Sequence, residues 1–220
     1  MRAVLGKRLF LVQNPLANSR RHRHLPRWRF HFDLNHHRLY VNNIMKKQIY
    51  LILDNLRSSH NVGAIFRTAD AVGVKKIFLC GITPIPGDEK QGNRRVKKVS
   101  VGADEFVKWE HCKNVLEAIK KLKKTITAKT QTRKTYRPRR SVCGQIQIIS
   151  LEQTPKSILF TKVKYRLPLA LIVGNEIDGI GENALKLSDI KIEIPMFGQK
   201  NSLNVTTATG IALYKILEFV

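Results

Sequence analysis

Two loops near the C-terminal end of the chain carry polar side chains that are well placed to bind a ligand. The apolar run 169–173 leads into Gly174-Asn-Glu176, and a second apolar run leads into a loop that holds Ser202 and Asn204. Short apolar runs that end in Gly or Pro are typical of buried parallel strands, and ligands of open α/β sheets bind where such strands end. We therefore predict a pocket between these loops. The alternative is that each feature is ordinary. The first loop would then be a turn cluster, and Ser202 and Asn204 would be caps of the helix that follows.

A second polar pair lies on a predicted helix that starts at Asn61 and ends at Gly73. Five apolar side chains fall on one face of this helix, namely Val62, Ile65, Phe66, Ala69 and Val72. Arg67 lies just outside that apolar face, and Asn61 is the predicted N-cap. Both side chains can point toward the carboxyl end of the preceding strand, residues 48–53. The alternatives are a solvent-exposed arginine and a plain helix cap.

Strands and helices alternate along the chain, which predicts an α/β fold with a mostly parallel sheet and helices on both faces. Further predicted elements are strands at 75–80, 105–109 and 145–151, a long loop at 81–104, and a helix at 115–124 with Leu116, Ile119 and Leu122 inside. The long loop exceeds what a simple connector needs, so we expect it to be functional.

The composition indicates a polyanionic partner. Lys and Arg total 40 against 16 acids, a formal net charge of +24 over 220 residues, which favours nucleic acid. The alternative is a small basic protein kept soluble by its charge. We expect no membrane association, since no apolar run approaches the roughly 20 residues that span a bilayer. Cys80, Cys112 and Cys143 are scattered without a C-x-x-C pair, which fits a reducing compartment such as the cytoplasm.

Two basic segments differ from the rest of the chain, one before the predicted domain, residues 45–220, and one inserted within it. Residues 1–44 hold nine Lys or Arg and one acid. They are interpreted as upstream sequence outside the working protein, an organelle transit segment, or a disordered arm that touches RNA. Histidines crowd this segment, but they lack the spacing of a zinc site. Residues near 125–144 have the composition of a disordered, cationic insertion that could lie along a phosphate backbone.

Three patterns, in order, resemble the motifs of the SpoU (TrmH-like) RNA ribose 2′-O-methyltransferases. They are Asn61-x-Gly63-x-x-x-Arg67, Ile172-Val-Gly-Asn-Glu176-x-x-Gly179 and Ile194-Pro-Met196-x-Gly-x-x-x-Ser202-Leu-Asn204-Val. The resemblance covers roughly residues 47–217. It implies a SPOUT-class domain whose C-terminal segment forms a trefoil knot around S-adenosylmethionine, and it implies a homodimer.

The resemblance also assigns roles to individual residues. The positions that match the family's cofactor loops are Leu151, Gly174, Ile194, Met196 and Leu203. The positions that match its active site are Asn61, Arg67, Glu176, Ser202 and Asn204. A ribose hydroxyl is a weak nucleophile that must be deprotonated and oriented. A guanidinium does not readily lose its proton, so we expect Arg67 to clamp the adjacent phosphate or polarise the hydroxyl. Asn61 and Asn204 would then fix Arg67 and the ribose. Glu176 would orient this network and offset its positive charge, and no metal would be required.

The chain departs from the family pattern in two respects. We expect it to lack the small RNA-binding domain that precedes the catalytic domain in many members, and it carries the basic insertion. Members without an added domain often act on tRNA, so tRNA is favoured over rRNA. One rival is a non-catalytic RNA-binding protein on the same fold. Another is a nucleotide-binding oxidoreductase, which is disfavoured because no Gly-x-Gly-x-x-Gly follows the first strand.

Overall fold

A computed structural model describes residues 48–87, 94–131 and 145–219 of the chain. The predictions for residues 1–44, and for all of the basic insertion after residue 131, lie outside these described residues. The strands are β1 (Ile49–Asp54), β2 (Lys76–Cys80), β3 (Trp109–Cys112), β4 (Gln147–Leu151), β5 (Ile158–Leu159), β6 (Leu169–Val173) and β7 (Ile190–Glu193). The helices are α1 (Ser59–Val72), α2 (Arg94–Ser100), α3 (Ala103–Phe106), α4 (Val115–Gln131), α5 (Glu182–Lys186) and α6 (Val205–Phe219).

The seven strands form one sheet in the order β3-β2-β1-β6-β4-β7-β5. Every neighbouring pair is parallel, with Leu51 of β1 opposite Leu171 of β6 and Leu171 opposite Ile149 of β4. The central strands are buried on both faces, which explains why β1 and β6 read as continuous apolar runs rather than alternating ones. The predicted parallel α/β sheet is therefore confirmed.

Helices cover both faces of the sheet. On one face, Ile49, Leu51 and Leu53 pack with apolar side chains of α1, α2 and α6 in one cluster. On the other face, Tyr50 and Ile52 belong to a second cluster with α4 and α5. Successive residues of a strand point to opposite faces, so β1 contributes to both clusters. The prediction of helices on both faces is confirmed.

The start of α1 differs from the prediction. Ser58, not Asn61, is the N-cap, and its side-chain oxygen accepts a hydrogen bond from the backbone N–H of Asn61 at 3.2 Å. Asn61 is the third residue of the helix and is buried. Several residues in succession could cap this helix. Because Ser58 does so, the side-chain amide of Asn61 is available to the functional site. The predicted helix end at Gly73 is confirmed, with φ of 72° at the C-cap.

Four further predictions for the middle of the chain were wrong. The predicted loop 81–104 contains α2 and the start of α3, and the strand predicted at 105–109 begins instead at Trp109. Helix α4 runs on to Gln131, so the first residues of the predicted insertion are helical. Within α4, Ile119 and Leu122 are buried as predicted, whereas Leu116 is 38% exposed.

Within the residues that the structure describes, no helix is both long enough and apolar enough to cross a membrane.

Candidate functional site

A cavity of about 450 Å³ lies at the carboxyl ends of β4, β6 and β7. This is the edge of a parallel sheet where strand-end loops gather, as the sequence predicts. All five predicted cofactor positions line it, namely Leu151, Gly174, Ile194, Met196 and Leu203. Three of the predicted active-site residues also line it, namely Glu176, Ser202 and Asn204. Residues more than 50 positions apart in the chain therefore share one cavity.

The loop after β6 is folded tightly on itself. Asn175 and Gly179 exchange two backbone hydrogen bonds of 3.0 Å and form an isolated antiparallel bridge. A Cβ atom on Gly174 would overlap the backbone carbonyl of Gly179 and lie 2.5 Å from the backbone nitrogen of Ile180. Only glycine fits at position 174, because backbone atoms cannot move aside as a flexible side chain can.

Glu152 anchors the same loop from the end of β4. Its Oε2 accepts a 2.9 Å hydrogen bond from the backbone N–H of Ile180. Gly179 has φ of 68° and lies directly against this carboxylate. Glu152 and Glu193 both line the cavity, so two carboxylates face the space between the loops. Their negative charge favours a ligand that carries positive charge at this end of the cavity.

Asn175 joins the loop after β6 to the loop after β1. Its Nδ2 donates to the carbonyl oxygen of Asn55 at 2.8 Å. Its Oδ1 accepts from the backbone N–H groups of Ile177 at 2.8 Å and Asp178 at 3.2 Å. Both ends of this buried amide are therefore hydrogen-bonded, which is what a buried polar side chain requires.

Glu176 receives hydrogen bonds from the beginning of α1. The backbone N–H of Arg57 donates to Oε2 at 3.1 Å, and that of Ser58 donates to Oε1 at 3.3 Å. Asn61 Nδ2 donates to the same Oε1 at 2.9 Å. A carboxylate at a helix N-terminus satisfies N–H groups that lack partners within the helix, and it is stabilised by the helix dipole.

These hydrogen bonds determine whether the carboxyl of Glu176 is ionised. Burial alone would raise the pKa of its carboxyl. The hydrogen bonds from Arg57, Asn61 and Ser58 outweigh that effect, and the pKa is lowered from its usual value. Glu176 is therefore an anion at neutral pH, and both of its carboxylate oxygens accept hydrogen bonds. An ionised carboxylate with a lowered pKa suits orientation of neighbouring groups better than proton abstraction.

Asn61 is the junction between this carboxylate and α6. Asn204 Nδ2 donates to Asn61 Oδ1 at 3.3 Å, and Thr206 Oγ1 lies 3.4 Å from the same oxygen. Asn204 also caps α6, since its Oδ1 accepts from the backbone N–H of Thr206 at 2.8 Å. The hydrogen-bonded series Glu176–Asn61–Asn204 therefore connects the starts of α1 and α6 with the rim of the cavity.

The remaining two predicted site residues are less constrained. Ser202 is exposed at the cavity wall. Arg67 is exposed on α1, less than two helical turns after Asn61. It makes no hydrogen bond or ion pair within the described residues. The predicted contact between Arg67 and the two asparagines is absent from that part of the chain. Among the described residues, its guanidinium has no partner that would compete with a substrate group.

Four residues of the site escaped the sequence analysis, namely Ser58, Glu152, Asn175 and Thr206. A signal existed for two of them. Asn175 stands between Gly174 and Glu176 in the predicted loop, and Glu152 directly follows the strand that ends at Leu151. Thr206 and Ser58 read as ordinary helix-start residues, and only their three-dimensional positions give them a role.

No group of three or more His, Cys, Asp or Glu side chains that could hold a metal ion occurs among residues 48–87, 94–131 and 145–219.

The family model for the SpoU rRNA Methylase family matches residues 48–214 of the chain. This range includes every strand and helix described above, apart from the last residues of α6. The chain belongs to the SpoU rRNA methylase family. The resemblance inferred from the three sequence patterns is thereby confirmed.

Two curated relatives of known name resemble the chain. It is 29% identical over 170 residues to a tRNA (guanosine(18)-2′-O)-methyltransferase of Aquifex aeolicus, covering 77% of this chain and 69% of that protein. It is 31% identical over 176 residues to a 23S rRNA (guanosine-2′-O-)-methyltransferase of Neisseria meningitidis, covering 79% of this chain and 59% of that protein. The chain thus spans 69% and 59% of the length of these two relatives.

A solved structure shares the fold. An AdoMet-bound rRNA methyltransferase from Sinorhizobium meliloti matches with a TM-score of 0.61 at 24% identity, covering 78% of this chain and 56% of that one. At this level of identity the match supports the α/β architecture of the chain.

Proposed function

We propose that the protein is an S-adenosylmethionine-dependent RNA methyltransferase that transfers a methyl group to a ribose 2′-hydroxyl. The observation that carries the proposal is that the cavity adjoins the hydrogen-bonded series Glu176–Asn61–Asn204. A cofactor in the cavity would lie beside a set of polar groups held ready for a substrate. A non-catalytic RNA-binding protein would not need both parts. Membership of the SpoU family and the activities of both relatives point to the same reaction.

The residues of the cavity fit S-adenosylmethionine. Its volume of about 450 Å³ falls within the range of small-molecule sites. Gly174 allows the β6 loop to fold tightly at the cavity wall, and Leu151, Met196 and Leu203 supply apolar walls. The carboxylates of Glu152 and Glu193 would complement the positive charges of the cofactor, which supplies an electrophilic methyl group on a sulfonium.

The chain's own residues would prepare the ribose. Glu176 holds Asn61 by the 2.9 Å hydrogen bond, and Asn61 in turn holds the Asn204 amide. Arg67, whose guanidinium stays protonated, would bind the phosphate next to the target ribose or polarise its hydroxyl. The proton would leave to that phosphate or to water. Ser202, which lines the cavity, would contact the ribose. The contribution of these groups is orientation, which methyl transfer by direct displacement requires.

We propose tRNA as the substrate in preference to rRNA. The Aquifex relative acts on tRNA and the Neisseria relative on rRNA, by their names. The formal charge of +24 would supply affinity for either RNA. The choice between RNA substrates would then depend on RNA shape, because the deep, narrow major groove of base-paired RNA keeps its base edges from protein side chains.

The remaining features are also proposals. We propose that the methyltransferase domain spans residues 45–220 in the cytoplasm, that its C-terminal segment forms the family's trefoil knot, and that it works as a homodimer. Ile211 and Tyr214 of α6, 38% and 57% exposed, would suit a subunit contact. The segments 1–44 and 125–144 are proposed as a basic extension and a basic insertion.

Methyl transfer from labelled S-adenosylmethionine tests the proposal. The full chain would be incubated with unmodified total tRNA and, separately, with rRNA. The 2′-O-methylated nucleotide would then be located by resistance to alkaline cleavage. We expect label in tRNA, at one position, that depends on Arg67. A folded chain that binds the cofactor but labels neither RNA would instead support the non-catalytic RNA-binding protein.

A further inference from the structure

We infer that helix α2, through Arg95, Lys97 and Lys98, forms a phosphate-binding surface that guides the RNA backbone to Arg67 on helix α1. The inference deepens the proposed function and relies on it for the chemical class of the ligand. None of these three residues lines the cavity or belongs to the three family patterns.

Helix α2 is held against α1 by close backbone packing. A Cβ on Gly63 would lie 2.7 Å from the carbonyl oxygen of Val96 and 3.1 Å from the backbone nitrogen of Ser100. Gly63 therefore allows the two helices to approach more closely than any other residue would. Val96 is fully buried in this contact. Helix α2 is thus a fixed part of the face that α1 forms, not a loosely attached loop.

Arg67 lies on the side of α1 that faces this packing. Gly63 and Arg67 are four residues apart on one helix, so they fall on the same face, one turn from each other. Arg67 is exposed while Gly63 is covered by α2. An RNA strand that reaches Arg67 from this side would first cross the exposed surface of α2.

The charge of α2 is largely uncompensated. Its sequence Arg-Arg-Val-Lys-Lys-Val-Ser contains four cations and no acid. Arg95 and Lys98 are exposed and form no ion pair within the described residues. Lys97 lies 3.3 Å from Glu105, but both side chains are more than 60% exposed, and such pairs contribute little. Among the described residues that follow α2, Asp104 is buried and accepts a hydrogen bond from Ser100, so it does not reach this surface.

A second basic surface lies on the opposite face of the sheet and provides the comparison. Lys120, Lys123 and Lys124 of α4 are exposed and form no ion pair within the described residues. Helix α4 packs in the apolar cluster on the far side of β1, whereas α1 and α2 pack on the near side. General attraction to RNA would involve both surfaces, but guidance toward Arg67 requires only α2.

The test compares two triple variants of the full chain that remove the same number of charges. One is R95Q/K97Q/K98Q on α2, and the other is K120Q/K123Q/K124Q on α4. The dissociation constant for an unmodified tRNA transcript would be measured by fluorescence anisotropy from 50 to 200 mM salt. Cofactor affinity by calorimetry and the unfolding midpoint would be measured for each variant.

We expect the α2 variant to bind the transcript at least about tenfold more weakly, with a salt slope reduced by about two. We expect the α4 variant to change by less than about threefold, and both variants to keep their cofactor affinity. The charge-preserving variant R95K/K97R/K98R should bind RNA like the natural chain, which separates loss of charge from loss of fold.

Equal weakening in both triple variants, or weakening in the α4 variant alone, would overturn the inference. So would a natural chain that does not bind the transcript. The proposed function fails in a different way, which is absence of methyl transfer or cofactor binding in the natural chain while the contrast between the α2 and α4 variants persists.

Discussion

Asn61 Nδ2 donates a 2.9 Å hydrogen bond to Glu176 Oε1, although the two residues are 115 positions apart in the chain. Asn61 stands in the first turn of α1, and Glu176 stands in the loop after β6. Because β1 and β6 are adjacent and parallel, the elements that follow them meet at the same edge of the sheet. The hydrogen bond is therefore a direct product of the strand order. The following predictions test what this arrangement does.

Replacing Glu176 with Gln removes the charge and one acceptor oxygen. We expect methyl transfer to fall at least about tenfold with a much smaller change in cofactor affinity, because orientation is lost while the cavity wall remains. We also expect the variant to be about 1 kcal/mol less stable than the natural chain at pH 7, since a carboxylate at a helix N-terminus is lost. Urea unfolding and single-turnover methyl transfer would measure the two effects.

The pH dependence of this stability difference has a definite sign. The pKa of Glu176 is lower in the folded chain than its usual 4.5. Its contribution is therefore fully present above about pH 4.5 and is lost as the pH falls through the lowered value. The natural chain and Glu176→Gln should differ at pH 7 and converge below pH 4.5. A difference that grows as the pH falls would contradict the assigned charge.

Replacing Arg67 with Ala should abolish measurable methyl transfer, a loss of at least about 100-fold, while changing the free energy of unfolding by less than about 0.5 kcal/mol. The side chain is exposed and makes no hydrogen bond or ion pair within the described residues that would be lost on unfolding. Arg67→Lys should recover only part of the rate, because lysine lacks the planar fork that holds a phosphate. Retention of activity in Arg67→Ala would remove this residue from the mechanism.

Replacing Gly174 with Ala should destabilise the chain by about 1 to 3 kcal/mol and prevent cofactor binding, since the added methyl group overlaps the backbone of Gly179. Gly198→Ala is the matched control. It lies on the neighbouring loop, and its added Cβ would meet no atom within 4 Å. Calorimetric titration with S-adenosylmethionine should separate the two variants. If Gly198→Ala is equally damaging, general disturbance of the loops is the better explanation.

Asn204 has two separable roles, and two substitutions distinguish them. Asn204→Ala removes the cap of α6 and should cost about 1 kcal/mol of stability, measured by thermal unfolding. Asn204→Asp keeps a capping oxygen but replaces the amide that donates to Asn61. We expect the Asp variant to retain most of the stability and lose most of the methyl transfer. Equal activity of the natural chain and Asn204→Asp would show that this donor is dispensable.

The cavity could be predicted from the sequence because its walls are strand ends. Strands β6 and β7 end where apolar runs give way to Gly, Asn and Pro, and these positions need no knowledge of distant contacts. The contacts of Glu152 and Asn175 could not be predicted in the same way. Each contact depends on which strands are neighbours in the sheet. The order of β1, β6 and β4 cannot be inferred from the local sequence of these strands.

Helix α2 shows the limit of local pattern most clearly. Its seven residues include two valines and four cations, which carry no recognisable helical period. The helix forms because Val96 is buried against α1 at Gly63, a tertiary contact across more than 30 residues. Similarly, local pattern does not reveal that the start of α1 is bound by Glu176, which accepts from the N–H groups of Arg57 and Ser58, 119 and 118 positions away.

The position of β6 in the middle of the sheet also has a consequence for synthesis of the protein. Ile49 of β1 pairs with Leu169 of β6, so one edge of β1 stays unpaired until the ribosome has passed residue 173. During that interval the strand Ile49–Asp54 is an open, apolar edge, the kind of surface that invites pairing with another chain. Pairings this distant in sequence also form slowly. The nascent protein should therefore depend on chaperones more than its modest size would suggest.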